Sequence, residues 1–288
     1  MTVAHKPEHE LSIGARPSGA TTEQSAAQNV QQMFDNIAPT YDRANHILSI
    51  GLDRWMWSRA ARTFRPILQQ PEATALDLCC GTGDMTLALY KHRPKPLPDK
   101  RGVILSEATD SSIVSSGVEG PAFAFSATNP APILAIDFSH QMLTLGAQKF
   151  AGQNVFPIEA DALHLPLANA SIDLVTSAFG FRNLANYQEG LADILRVLRP
   201  GGQLGILECN QPEGLTGAIY NLYFKSILPK LGGLITGNAS AYSYLNASVE
   251  RFPRPPRMLE LLRKAGLTNP TWTSYTFGVV GLYRATKP

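Results

Sequence analysis

The chain has 288 residues, 44% of them hydrophobic and 17% charged, enough to bury a sizeable core in one large domain. Its 25 basic and 23 acidic residues leave a net charge of +2, so no strong field points toward nucleic acid. Three cysteines, two of them adjacent (Cys79 and Cys80), exclude a disulfide scaffold and a four-thiolate zinc site, and no apolar run reaches the roughly 18–20 residues of a membrane span.

Residues 1–27 carry almost no periodic apolar pattern and are expected to form a disordered leader; no apolar stretch within the first ten suggests a secretory signal. A helix is predicted from residue 28, with Val30, Met33, Phe34 and Ile37 at three- and four-residue spacings, and a second over 52–68 with Trp55, Ala60 and Phe64 for burial. Residues 75–78 read as a strand, 79–84 as a glycine turn and 85–90 as a helix. Six prolines and six serines punctuate residues 91–132, which are expected to be a surface insertion. Strands at 133–136, 155–159, 172–177 and 203–208 then alternate with helices at 142–150 and 187–198. After a predicted helical segment over 212–256 and a helix at 258–265, strands at 271–276 and 279–285 join at Gly278 as an antiparallel edge hairpin. This alternation predicts an α/β, doubly wound, mostly parallel seven-stranded sheet in a single domain spanning 28–288, with helical additions before and within it.

In open α/β sheets the ligand sits beyond the carboxyl ends of the strands. The first strand ends in Gly81-Thr82-Gly83-Asp84, where glycines allow close backbone approach and the next helix offers unpaired N–H groups. Leu87 occupies the place of the third glycine of a dinucleotide fingerprint, and Asp84 would repel a pyrophosphate but suits a cationic amino group. The ligand implied is a nucleoside with an amino-acid tail. Asp137, at the end of the second strand, can accept from both ribose hydroxyls; Asp161, after the third, can accept from an adenine amino group. Each alone reads equally as a helix cap or turn residue. Together they favour a nucleoside site.

The stretch from Leu76 to Asp84, with Asp137-Phe138-Ser139 and Met142-Leu143, resembles the class I S-adenosylmethionine-dependent methyltransferases, whose fold is Rossmann-like. A narrower likeness rests on five separated motifs: Tyr41-Asp42-Arg43-Ala44-Asn45, Ser49 through Trp55, Phe179-Gly180-Phe181-Arg182-Asn183, Arg196 through Gly202, and Leu207-Glu208. These resemble the ubiquinone/menaquinone C-methyltransferase family, which methylates a ring carbon of a prenylated hydroquinone, and the tail looks closest to the menaquinone branch. The resemblance implies S-adenosylmethionine as donor with no metal, demethylmenaquinol as substrate, and a benzoquinol ubiquinone precursor or another small molecule as alternatives. It implies cofactor contacts at Asp77, Gly81, Thr82, Gly83, Asp84, Asp137, Phe138, Asp161, Ala162 and Ser177, and substrate contacts at Tyr41, Asn45, Trp55, Phe179, Arg182, Asn183 and Tyr223.

Such chemistry needs a cation near the hydroquinone oxygen, because a phenol with a pKa near 10 must lose its proton. Arg182, just after the fourth strand, is the candidate to orient that oxygen or a water, with Tyr41 in the same relay; the competing readings are a structural ion pair and plain packing. Cys79 stands where many such enzymes have the first turn glycine, and Asp53 where a histidine is frequent, which removes that position as an expected proton acceptor. No spacing among the six histidines suggests a metal, and His46 is a weak alternative base. The apolar run at 218–235, with Trp55 and Trp57, is expected to roof the substrate within a lid at 212–256. A prenyl tail implies transient docking at a membrane surface, hence a cytoplasmic protein peripheral to the inner face. No nucleic acid is expected as partner, and a homodimer is left open.

Overall fold

The structure, a computed structural model, describes residues 14–49, 51–95, 114–115, 130–214, 217, 222 and 239–288. In chain order its main elements are α1 (Glu23–Leu48), α2 (Leu52–Thr63), α3 (Arg65–Leu68), β1 (Ala75–Leu78), α4 (Asp84–Tyr90), β2 (Val114–Ser115), β3 (Ile133–Asp137), α5 (His140–Phe150), β4 (Val155–Glu159), β5 (Ile172–Ala178), α6 (Tyr187–Val197), β6 (Leu198–Cys209), α7 (Ala239–Arg251), α8 (Pro255–Lys264), β7 (Thr268–Tyr275) and β8 (Val280–Thr286). The strands form one sheet in the order β2-β4-β3-β1-β5-β6-β8-β7. It comprises the seven expected strands and the two-residue β2, which pairs in parallel with β4.

Side-chain alternation covers both faces. Leu76, Leu78, Leu134 and Ile136 point to one side, onto Leu191, Ile194 and Val197 of α6 and Met258, Leu261 and Leu262 of α8. Ala75, Ile133, Ala135 and Leu174 point to the other, onto Met56 and Ala60 of α2 and Met85 and Leu89 of α4. Full burial of such a leucine or isoleucine contributes about 1.5–3 kcal/mol. Strands buried on both faces carry near-continuous apolar runs, as β1 and β3 do.

The final two strands are a hairpin, but only half of it lies at the edge. β8 is inserted between β6 and β7 and pairs antiparallel with both. Its burial is almost continuous, whereas β7 is mostly exposed and contains Pro270, which cannot donate to a ladder on a second side. The helix expected over 52–68 is divided at Phe64, ahead of the proline at position 66.

Two expectations at the amino-terminal side change. α1 starts at Glu23 rather than at residue 28, because Thr22 and Ser25 close a reciprocal capping box. Ala26 is fully buried, and Ala15 donates its N–H to the Leu184 carbonyl at 2.7 Å. Gly14 runs so close to Ala185 that a Cβ there would lie 2.0 Å from its carbonyl oxygen. Residues 14–27 are therefore packed, not a disordered leader; residues 1–13 lie outside the described residues.

The roots of the 91–132 insertion are fastened. Arg93, only 7% exposed, donates to the carbonyls of Leu68, Gln70, Pro71 and Ala131, and Ala131 N–H donates to Pro71 at 2.6 Å. One side chain thus joins the two ends of the insertion to the loop before β1. Of the lid expected at 212–256, α7 is helical; 215–216, 218–221 and 223–238, and with them Tyr223, lie outside the described residues.

Candidate active site

The carboxyl ends of β1, β3, β4 and β5 surround a cavity of about 850 Å³. Two non-glycine residues at its floor have left-handed backbones: Cys79 after β1 (φ 54°) and Phe179 after β5 (φ 59°). Strain of this kind persists only where the surroundings over-determine it, and it collects at ligand sites. The two strand ends nearly touch: a Cβ on Gly180 would lie 2.3 Å from the Cys79 Cβ. That contact explains the glycine of the Phe-Gly-Phe-Arg-Asn motif.

At the carboxyl end of β3, Asp137 is the organising group. Its Oδ2 accepts from Gly81 N–H at 2.8 Å and its Oδ1 from Ser139 N–H at 2.9 Å. Burial pushes its pKa up to about 6 against those hydrogen bonds. Each oxygen keeps a second lone pair, and the carboxylate faces the cavity beside Phe138. Asp77 also lines the cavity, but its oxygens are taken by the hydroxyls of Thr86 (2.6 Å) and Thr176 (2.9 Å), and burial raises it to about 7. It braces the turn. Asp161 is both a turn residue and a cavity residue: Oδ1 accepts from Leu163 N–H at 2.9 Å, while the half-exposed carboxylate and Ala162 line the far end.

The amino group expected opposite Asp84 is supplied from within the chain. Lys149 on α5 reaches Asp84 at 3.1 Å and Asp42 on α1 at 2.6 Å, and Thr82 donates to Asp42 at 2.5 Å. This cluster ties α1 across the glycine turn, so Thr82 and Asp84 line the cavity already partnered. Gln31 and Asp35 of α1 add hydrogen bonds to the Phe138 carbonyl (2.6 Å) and the Ser139 hydroxyl (2.5 Å).

Three expected contacts are not brought to the cavity. Gly83 points away, since a Cβ there would strike the Phe150 ring at 2.2 Å; it is the site of helix-to-turn packing. Ser177 is 1% exposed and does not line the cavity; the pleat turns its neighbour Thr176 toward Asp77. Trp55 is on the outer side of α2, 45% exposed, its ring 5.9 Å from that of Tyr275 with the Arg59 guanidinium over both. Trp57 lines the cavity instead, on the inward face with Asp53 and Met56.

On the other side lie Tyr41, Asn45, Phe179, Arg182 and Asn183, all lining one chamber. Tyr41 is held edge-on to Phe34 at 6.1 Å, and burial raises its pKa while the Arg182 charge opposes that. Arg182 is 6% exposed. Its Nη1 pairs with Glu208 Oε2 at 3.0 Å and donates to the Phe179 carbonyl, and its Nε donates to Ser248 at 3.3 Å. The structural ion pair weighed for Arg182 is therefore present. Burial alone would lower the pKa of the guanidinium, but Glu208 outweighs it and raises it. Nη2 has no partner among the described residues. Asn183 Oδ1 accepts from Tyr244 of α7 at 3.1 Å.

Sequence reasoning missed one pair. Asp53, 4% exposed, lines the cavity and accepts from His46 Nδ1 at 2.8 Å across the turn between α1 and α2. The signal was an acid and a histidine seven residues apart, which face each other only because the chain reverses at Gly51 (φ 74°).

The sheet order and strand-end cavity define a class I methyltransferase scaffold. Solved structures agree on the fold: a Thermotoga maritima SAM-dependent methyltransferase has a TM-score of 0.55 at 16% identity, covering 90% of this chain and all of its own. The [4+2]-cyclase SpnF is as similar, with a TM-score of 0.53 at 15% identity over 96% of this chain and 99% of its own, so the fold does not fix the reaction. The sequence decides further. Residues 22–287 match the profile of the ubiE/COQ5 methyltransferase family, and the chain belongs to that family. It is 40% identical to the demethylmenaquinone methyltransferase of Deinococcus radiodurans, over 92% of this chain and 95% of that one. It is 37% identical to that of Thermus thermophilus (89% and 100%), and 33% identical to a Campylobacter jejuni ubiquinone/menaquinone biosynthesis C-methyltransferase (90% and 98%).

Proposed function

We propose that this chain methylates a ring carbon of a prenylated hydroquinone, demethylmenaquinol, with S-adenosylmethionine as donor. The observation that carries the reading is one continuous cavity that joins the Asp137 end to an apolar chamber holding Tyr41, Arg182 and Asp53. Asp137 offers free lone pairs for ribose hydroxyls, Asp161 an acceptor for an amino group, and Gly81 an open face, since a Cβ there would meet only Tyr41 at 3.9 Å. These residues suit the adenosyl donor, which when bound supplies an activated methyl group.

The chain's own work is alignment and proton handling. The apolar walls hold the ring against Phe179. Arg182, neutralised on one side by Glu208, turns Nη2 to the ring oxygen and orients it, with Tyr41 beside it. The proton of that hydroxyl passes to Asp53, which His46 holds in place by its hydrogen bond; once the ring carbon has taken the methyl group, its own proton shifts to the ring oxygen and restores the aromatic hydroxyl. The reading carries with it a prenylated partner held in a membrane surface and a peripheral position there. A benzoquinol is the second reading, because the Campylobacter jejuni relative is named for both quinones.

The test is incubation of purified protein with labelled S-adenosylmethionine and each reduced demethylquinone, with the methylated carbon located by mass spectrometry. Methylation of the naphthoquinol ring carbon is expected. Methyl transfer to oxygen or nitrogen, or to no hydroquinone, overturns the reading.

A further inference from the structure

The cavity volume of about 850 Å³ suits a drug-sized ligand. A donor and a bicyclic ring use that space, so a long prenyl tail must leave through the mouth. The mouth has an unusual rim. Of six large apolar side chains exposed among the described residues, four lie on the elements around this mouth: Ile47 near the end of α1, Leu52 and Trp55 on α2, and Phe277 in the turn before β8. Leu52 and Phe277 line the cavity and are also 48% and 89% exposed. Trp55 lies one turn from Leu52 on α2, and its contact with Tyr275 sets the turn bearing Phe277 against that helix. Apolar side chains scattered singly need no explanation, but a cluster around a site entrance does.

Phe277 strengthens the point. It and Thr276 have left-handed backbones (φ 57° and 45°), a costly state for a bulky residue. Here the strained residue holds its ring in solvent, where packing returns nothing to the fold.

The charge beside the rim is of one sign. α2 exposes Arg54, Arg59 and Arg62, and Arg43 is exposed on α1. Among the described residues none of these four forms an ion pair, and the single acid of α2, Asp53, is turned inward to His46. A net charge of only +2 for the whole chain makes this a local concentration.

We propose that this corner, the end of α1, the outer face of α2 and the turn before β8, is the surface that docks on an anionic phospholipid bilayer. Ile47, Leu52, Trp55 and Phe277 enter the interface, the arginines meet the headgroup phosphates, and the cavity mouth opens directly onto the prenyl tail. The proposal rests on the prenylated-substrate reading above.

The test is flotation of the full chain with vesicles of phosphatidylglycerol and phosphatidylethanolamine in equal parts, against vesicles of phosphatidylcholine alone. Wild type is expected to float with the anionic vesicles and to bind the neutral ones more weakly by about tenfold or more, given a worth of about 1 kcal/mol per basic residue near such a surface. The R54E/R62E variant is expected to lose anionic binding by about tenfold or more while methylating a tail-free demethylnaphthoquinol in solution as wild type does. F277S, checked for an unchanged melting temperature, is expected to weaken binding to both vesicle types. Wild-type binding that R54E/R62E leaves intact, or no binding to either vesicle, overturns the proposal. So does concentration-dependent self-association that F277S abolishes without vesicle binding, which would give the corner to a second copy. If wild type ignores the soluble hydroquinone yet floats in an arginine-dependent way, the functional reading fails and the docking surface stands.

Discussion

Arg182 and Glu208 are 26 positions apart in sequence and in contact in space, both nearly or fully buried. Removing one member of such a pair leaves an uncompensated charge, at a cost of about 3–5 kcal/mol. Arg182→Ala should therefore lower stability by that order as well as turnover, and the double variant R182A/E208Q should recover much of the stability in denaturant melts without recovering turnover. If turnover returns with stability, Arg182 has no part in orienting the substrate. Asp53 is tested differently. Its carboxylate is proposed to take a proton, so Asp53→Asn should reduce kcat by about a hundredfold to ten-thousandfold, the usual range for general-base loss, while the affinity for S-adenosylhomocysteine by calorimetry is unchanged. A matching loss of both would make Asp53 a positioning group for α1 alone. Some of these residue-scale features were legible. The placement of Asp137 and Asp161 at the cavity was, because a strand end fixes where a following carboxylate points. Trp55 and Trp57 were both expected at the cavity and only Trp57 lines it, because the inward direction of a helix is set by what it packs on, and two positions along a helix differ by about half a turn.

At the scale of elements, α1 is the piece that completes the site. It crosses the strand ends and is fixed by Asp42 to Lys149, by Gln31 to Phe138 and by Asp35 to Ser139. The first turn of the helix was readable from Thr22 and Ser25, an i, i+3 pair that closes a capping box. The docking of the helix was not, since Lys149 lies 107 positions from Asp42 and nothing local links them. The insertion behaves in the opposite way. Arg93 and Ala131 already hold its two ends together, so replacing residues 96–129 with a short glycine–serine linker should preserve the fold and cofactor binding, with a melting-temperature change of only a few degrees. Circular dichroism melts check this; a variant that fails to fold would mean that the β2 pairing with β4 is needed by the sheet.

At the scale of the whole molecule, two fully buried carboxyls among the described residues have strongly raised pKa values, Asp77 to about 7 and Asp137 to about 6. An ordinary carboxyl titrates near 4. Between those values the folded chain holds protons that the unfolded chain has released, so the contribution of these groups to stability falls as pH rises through about 4 to 7 and is level above that. Asp77→Asn mimics the protonated acid. Its melting temperature relative to wild type should therefore climb from pH 5 to pH 8; a constant difference across that range would place the Asp77 pKa elsewhere. In the proposed site ribose hydroxyls donate to Asp137 and favour its ionised form, so cofactor affinity is expected to weaken as pH falls below about 6.

The amino-acid sequence by itself determined the alternating elements, the sheet they build, the glycine turn and the family motifs, because hydrophobic period and turn chemistry act over a few residues. Only the tertiary structure decided that β8 runs inside the sheet, that Glu208 receives Arg182, that Lys149 fills the place beside Asp84, and that His46 meets Asp53 at the cavity. Each of these depends on which distant groups burial forces into contact, and a buried charge must find its partner wherever the fold brings one.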